Sequence, residues 1–116
     1  MAHEWHWIED VSLNSLLQSE HKSLWEFRVK GKRICITRDE DKLWAFDAKC
    51  SHQGGPLAKG FINEQCQVVC PWHRFAFDIK SGQGRNGGYF INTYELKVED
   101  HKLWIKLPKR KSWKFW

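Results

Sequence analysis

Nowhere in the sequence do about eighteen apolar residues run together, so no transmembrane helix and no membrane insertion are expected. The opening stretch Ala2-His3-Glu4-Trp5-His6 is polar and carries His and Trp, unlike a signal peptide, and the chain reads as cytoplasmic. Internal repeats, linkers and low-complexity segments are lacking too. At 116 residues there is room for one domain but not for a separate catalytic one. A single domain over 1–116 is expected, burying about two-thirds of the surface its unfolded chain exposes, with 108–116 as a basic aromatic C-terminal tail. Helical patterning is scarce. Only Val11–Leu17 suggests a helix, with Leu13, Leu16 and Leu17 on one face, and it is too short for more than a turn or two.

Period-2 alternation is what the chain has instead. Trp25, Phe27 and Val29 point one way and Glu26, Arg28 and Lys30 the other, as in a half-buried strand. Gly31-Lys32 turns the chain, Ile34 and Ile36 continue as a strand, Asp39–Lys42 turns again, and Leu43–Phe46 extends onward. Phe75–Asp78 reads as a strand. Tyr94, Leu96 and Val98 are expected to form a hairpin with Leu103, Ile105 and Leu107 across Glu99–Lys102. Many short strands between turn signals imply an all-β chain, an antiparallel sandwich or barrel.

Two segments stand out chemically, Cys50-Ser51-His52 and Cys70-Pro71-Trp72-His73, with seventeen residues between His52 and Cys70. Cys50, His52, Cys70 and His73 supply two thiolates and two imidazoles, a metal-binding set shared between two loops. Zinc also prefers tetrahedral Cys2His2, and ligand softness alone does not separate zinc from an iron–sulfur cluster. Zinc modules usually pair Cys with Cys in one knuckle and His with His in the other. Here each knuckle is mixed, which a two-iron cluster spanning two loops explains better.

The surrounding residues, Cys50-Ser51-His52-Gln53-Gly54-Gly55-Pro56-Leu57 and Cys70-Pro71-Trp72-His73-Arg74-Phe75-Ala76-Phe77-Asp78, resemble those of the Rieske ferredoxins and Rieske domains. The resemblance covers residues 5 to 107. It implies a [2Fe–2S] cluster with one iron on Cys50 and Cys70 and the other on His52 and His73, and a small cluster-binding subdomain formed by the two ligand loops at one end of the fold. Gly54, Gly55 and Pro56 would let the first loop turn sharply and bring backbone N–H groups toward sulfur. Pro71 and Trp72 would stiffen the second. Respiratory, membrane-anchored members carry a further Cys in each loop and join the two as a disulfide. Here those positions hold Gly54 or Gly55 and Trp72, which places the chain with the soluble branch. Cys35 and Cys66, with strand-like neighbours, are expected to pack as small apolar residues.

Gly82-Gln83-Gly84-Arg85-Asn86-Gly87 matches a dinucleotide fingerprint in letters only, because an extended stretch follows where a helix is needed. In the Rieske pattern it is a third loop over the cluster, often with a proline, but no Pro lies between Pro71 and Pro108. His3, His6, His21 and His101, scattered among charged and turn residues, read as solvated surface. The net charge is +5, much of it in Lys109–Trp116. That tail suits a solvated end or an acidic partner better than nucleic acid.

The resemblance therefore implies a soluble, monomeric one-electron carrier between an electron-donor reductase and an electron-acceptor oxygenase or reductase. An electron-transfer component without its own substrate site is expected, since no downstream domain is seen that would supply a mononuclear iron site. A non-catalytic small subunit of a reductase, such as that of nitrite reductase, and a zinc-stabilised binding module are the alternatives. In high-potential relatives a Ser and a Tyr hydroxyl donate to the sulfurs, and the aligned positions here are Phe75 and Phe77. Fewer donors stabilise the reduced state less, and although Arg74, where the family often has Gly, pushes the other way with its positive charge, voltammetry is expected to give a potential toward the low end of the Rieske span of about −150 to +300 mV, raised by Phe77→Tyr. A wild-type value well above zero would contradict this.

Overall fold

The computed structural model describes residues 3–9, 11–51, 54–72, 74–85 and 88–108. They form ten strands: β1 His3–Trp7, β2 Leu24–Val29, β3 Lys32–Asp39, β4 Lys42–Asp47, β5 Phe61–Ile62, β6 Gln67–Val69, β7 Ala76–Asp78, β8 Thr93–Tyr94, β9 Leu96–Glu99 and β10 Lys102–Pro108, with one short α-helix, α1, at Leu13–Leu17 and a 3-10 turn at Leu57–Lys59. The pairing is antiparallel, in three sheets of order β1-β10-β9, β2-β3-β4-β8 and β5-β6-β7. The expected all-β architecture is found.

The β2-β3-β4-β8 sheet separates two cores. Side chains on a strand alternate between faces, and β3 is apolar on both. Ile34 and Ile36 enter one core with Ala45 of β4, Leu16 of α1 and Leu103, Ile105 and Leu107 of β10. Cys35 enters the other with Phe46 of β4, Val68 of β6, Phe77 of β7, Cys50 and Cys70. The unbroken buried run Ile34–Thr37 thus reflects a strand covered on both sides. Thr37 belongs in it because its hydroxyl donates to the Ser23 carbonyl at 2.6 Å. Truncating one of these residues forfeits contacts with a whole core, at about 2–5 kcal/mol for Ile→Ala.

The hairpin turns match their residues. Lys30 and Gly31, with φ of 53° and 78°, link β2 to β3, and Asp100 and His101, at 55° and 62°, link β9 to β10. Positive φ at both central positions matches the twist of a two-residue hairpin. The first turn lies one residue earlier than the expected Gly31-Lys32.

Other differences have local causes. The helix begins at Leu13, two residues later than the periodicity suggests, because the Ser12 side chain caps it by accepting from the Ser15 N–H. Phe75 stays outside β7, its carbonyl serving the second loop instead. Tyr94 does not join the last hairpin; it pairs with Ala45 of β4, while the hairpin itself is β9 with β10. The polar start forms β1, edged against β10. His6 is accordingly half-buried rather than solvated, with Nε2 3.7 Å from Glu4 Oε1. His3, His21 and His101 are exposed, although His21 Nδ1 accepts the Glu40 N–H at 3.0 Å.

The root of the first cysteine loop is fastened at the end of β4. Asp47 donates its N–H to the Asn92 carbonyl at 3.0 Å, and its carboxylate accepts the Asn92 N–H at 2.9 Å and the Tyr94 hydroxyl at 2.5 Å. Burial, and then the hydrogen bond to Asp47, hold the Tyr94 phenol far above its ordinary value. Folding therefore favours the protonated phenol. That contribution is fully present below the unfolded value of about 10 and is lost as pH rises toward the folded one. Tyr94→Phe is expected to cost about 1–3 kcal/mol in urea unfolding followed by circular dichroism, with the gap to wild type closing above about pH 10. An unchanged midpoint, or a gap that widens with pH, would contradict the role of this hydroxyl.

Candidate metal centre

The two cysteine loops are built alike. Asp47 at the end of β4 leads through Ala48 and Lys49 to Cys50, whose N–H donates to the Gly55 carbonyl at 2.9 Å; Lys49 bridges Pro56, and the Leu57 N–H returns to Ala48 at 2.9 Å. The second loop joins β6 to β7. Val69 pairs with Ala76, and the Cys70 N–H donates to the Phe75 carbonyl at 2.8 Å. In both, a cysteine amide closes the loop onto the carbonyl five residues on, so the two amides at the mouths are satisfied. Each thiol then faces the core, with Cys50 1% and Cys70 0% exposed.

Two glycines make this possible. Gly54 has φ +77°, a left-handed conformation that costs glycine nothing, and its N–H donates to the Cys50 carbonyl at 2.7 Å. Gly55 is needed for space. A β-carbon there would lie 2.7 Å from Cys70 Sγ and 3.1 Å from the Trp72 ring. The first loop therefore lies directly on the second, and the two thiols, twenty residues apart in sequence, become neighbours.

Electrostatically the pair is unfavourable as free thiolates. Burial pushes the Cys70 thiol up, a hydrogen bond from the Trp72 backbone N–H pulls it down, and the adjacent Cys50 thiol raises it again. A cationic centre is what deprotonates such a pair, because metal binding is linked to thiol ionisation. Cys35, in the same core, is pushed up to about 12 by burial and behaves as the packed apolar residue expected of it. Cys66 differs. It sits at φ +60° in the β5–β6 turn, not in a strand, half-buried and with its sulfur 3.5 Å from Asp39 Oδ2. Asn63 organises that turn by accepting the N–H groups of Gln65 and Gln67 at 3.0 and 2.9 Å. All four cysteines are free.

A third segment closes over the second loop. Gln83 bridges Phe90, Gly84 bridges Phe77, and the Gly84 N–H donates to the Tyr89 carbonyl at 2.9 Å. Phe75 lies edge-on to Tyr89 at 5.5 Å and tilted against Phe77 at 5.0 Å. A β-carbon on Gly84 would approach the Phe75 ring to 2.9 Å. Gly84 thus serves packing, and no helix follows it among the described residues. Of the expected ligands, the structure brings Cys50 and Cys70 together; His52 and His73 lie outside the described residues, as does 109–116 of the basic tail. Asp47, Asn92 and Tyr94, which hold the loop root, had no signal in the sequence because they meet only across the β4–β8 pairing.

Against known families, the chain matches the Rieske [2Fe-2S] domain over residues 6–95, and it belongs to that family. It is similar to the ferredoxin component of the naphthalene 1,2-dioxygenase system of Pseudomonas putida, 28% identical over 103 residues that cover 87% of this chain and 95% of that protein. It also resembles apoptosis-inducing factor 3 of Homo sapiens, 27% identical over 93 residues, but those cover 78% of this chain and only 15% of that longer protein. Among solved structures, the ferredoxin of carbazole 1,9a-dioxygenase from Nocardioides aromaticivorans IC177 superposes with a TM-score of 0.71 at 26% identity, covering 81% of this chain and 92% of that one. Family membership implies a [2Fe–2S] cofactor. The described part of the site fits it: two adjacent buried thiols, an amide already donated to one of them, and a neighbouring glycine with no room for a side chain.

Gly55→Ala tests that fit. The added methyl must displace Cys70 or Trp72, so iron and acid-labile sulfide per chain are expected to drop severalfold while far-UV circular dichroism keeps its β signature. A variant with full iron and sulfide would show that the loops do not need this contact.

Proposed function

We propose that the chain is a one-electron carrier whose [2Fe–2S] cluster is held by Cys50 and Cys70 at one iron and by His52 and His73 at the other, passing electrons from a reductase to a terminal oxygenase or reductase. The observation that carries the reading is the seating of Cys50 against Cys70 by two matching loops, in a chain of the Rieske family. When bound, the cluster supplies the one-electron redox chemistry. The residues around it do the rest. Cys50 and Cys70 anchor from the buried side. The Trp72 amide stabilises negative charge on Cys70 sulfur, and Phe75, Phe77 and Leu57 keep water from the thiol side.

Low reorganisation is the mechanical requirement of electron transfer, and the loop closures meet it. Both cysteine amides are committed to carbonyls at 2.9 and 2.8 Å, and the loop roots continue into β4, β6 and β7, so the anchors move with the sheets. We place the electron exit at His52 and His73. A single functional unit over 1–116 acting as a monomer in the cytoplasm completes the proposal, and no helix among the described residues is long and apolar enough to cross a membrane.

The ligand assignment is tested one residue at a time. Cys50→Ser, Cys70→Ser, His52→Ala and His73→Ala are each expected to lose the cluster, measured as iron, acid-labile sulfide and the EPR signal of the dithionite-reduced protein. A normal cluster after loss of one side chain would remove that residue from the set. Wild-type protein containing only zinc would end the electron-carrier reading.

A further inference from the structure

We propose that the end of the molecule formed by the three loops is a cationic, aromatic docking surface, and that the redox partner it fits presents a carboxylate-rich face. The proposal rests on the electron-carrier reading and adds the chemistry of the partner. Residues 48–60, 70–77 and 82–92 contain Lys49, Lys59, Arg74 and Arg85 and no Asp or Glu, although the chain has fourteen acidic residues. Glu26 is held below its ordinary value chiefly by Arg33, with Lys59 as a minor contributor, so Lys59 is partly compensated. The other three have no ion-pair partner among the described residues.

The described residues of the loops make one continuous surface. Gly55 of the first touches the Trp72 ring of the second, Phe75 of the second meets Tyr89 of the third, and the Arg85 N–H donates to the Ala76 carbonyl at 2.9 Å. Exposed aromatics lie among the cations. Trp72 is 49%, Tyr89 42% and Phe90 62% exposed. Aromatic residues and arginine are the side chains enriched at protein interfaces, and the large apolar ones supply most of the binding energy where they become desolvated. Uncompensated charge around them steers a partner of opposite sign and raises the association rate. At physiological salt charges act over about 8 Å, so this local collar, rather than the net charge of the chain, governs encounter at the point of electron exit.

Two redox probes of opposite charge test this without a known partner. Dithionite-reduced holoprotein is mixed in a stopped-flow instrument with hexacyanoferrate(III) or with hexaammineruthenium(III). In each case one electron leaves the protein and reduces the probe to its divalent metal state. Arg74→Glu/Arg85→Glu is compared with Lys22→Glu/Lys42→Glu, a variant of equal net charge whose changes lie at the far end of β3 and β4 from the loops. A shift in potential slows or speeds both probes together, so the ratio of anionic to cationic rate isolates the local field. The collar variant is expected to lower that ratio by about tenfold or more at low salt, with Arg74→Gln/Arg85→Gln intermediate and the control little changed.

Equal effects of the two charge-reversed variants, or a wild-type rate with hexacyanoferrate that rises with salt, would overturn the proposal. If neither probe takes an electron from wild-type protein that carries the cluster, the electron-carrier reading fails and this inference with it. Salt-sensitive binding of a single-stranded oligonucleotide, lost in Arg74→Glu/Arg85→Glu, would assign the surface to nucleic acid instead.

Discussion

The contact between Gly55 and Cys70 sulfur is the constraint on which the site depends. Two loops from different sheets can place their thiols together only if one backbone approaches the other loop's sulfur without an intervening side chain. Everything nearby serves that approach. Gly54 turns the first loop, the Cys50 and Cys70 amides close both mouths, and Asp47 ties the loop root to Asn92 and Tyr94. None of these interactions is strong alone, since a net hydrogen bond contributes about 1 kcal/mol. Their value is geometric, because they leave the sulfurs few alternative positions.

The division into two cores suits this arrangement. One core, formed by Ile34, Ile36, Ile105 and their neighbours, is purely aliphatic in its fully buried part and stabilises the domain without reference to the site. The other contains three cysteines, Cys35, Cys50 and Cys70, with Phe46 and Phe77. A buried thiol is tolerated there because it packs as a small apolar group when protonated and becomes a ligand when a cation compensates its charge. β3 belongs to both cores, so the loops rest on a strand that the aliphatic core already holds in place.

Charge is distributed to match. Carboxylates lie along the strands and hairpin turns, where Glu26 meets Arg33 at 2.7 Å and Asp39 lies within 4.0 Å of His21 and Lys80. The three loops carry cations only. Exposed ion pairs of this kind add little stability, so the more telling feature is where such pairing stops among the described residues: at the loop end, beside Trp72 and Tyr89.

Strands, turns and the two cysteine loops were legible because they depend on local chemistry. Alternation reports a half-buried face, positive-φ turns select Gly, Asn or Asp, and Cys and His at short spacing report a metal. Ile34–Thr37 could be read as a strand, yet only the structure shows that Cys35 faces one core and Ile36 the other. Cys66 illustrates the limit. Its neighbours look extended, but Asn63 converts the stretch into a turn through side-chain hydrogen bonds that compete with the ladder. β1 was missed because its partner, β10, lies about a hundred residues away, and pairing at that separation leaves no periodic trace when the strand is polar. Residue types and their local spacing were thus settled by the chain itself. Which thiol lies beside which, and which cations are left unpaired among the described residues, depended on contacts between distant segments, because packing distance is a property of the folded arrangement and not of any one stretch.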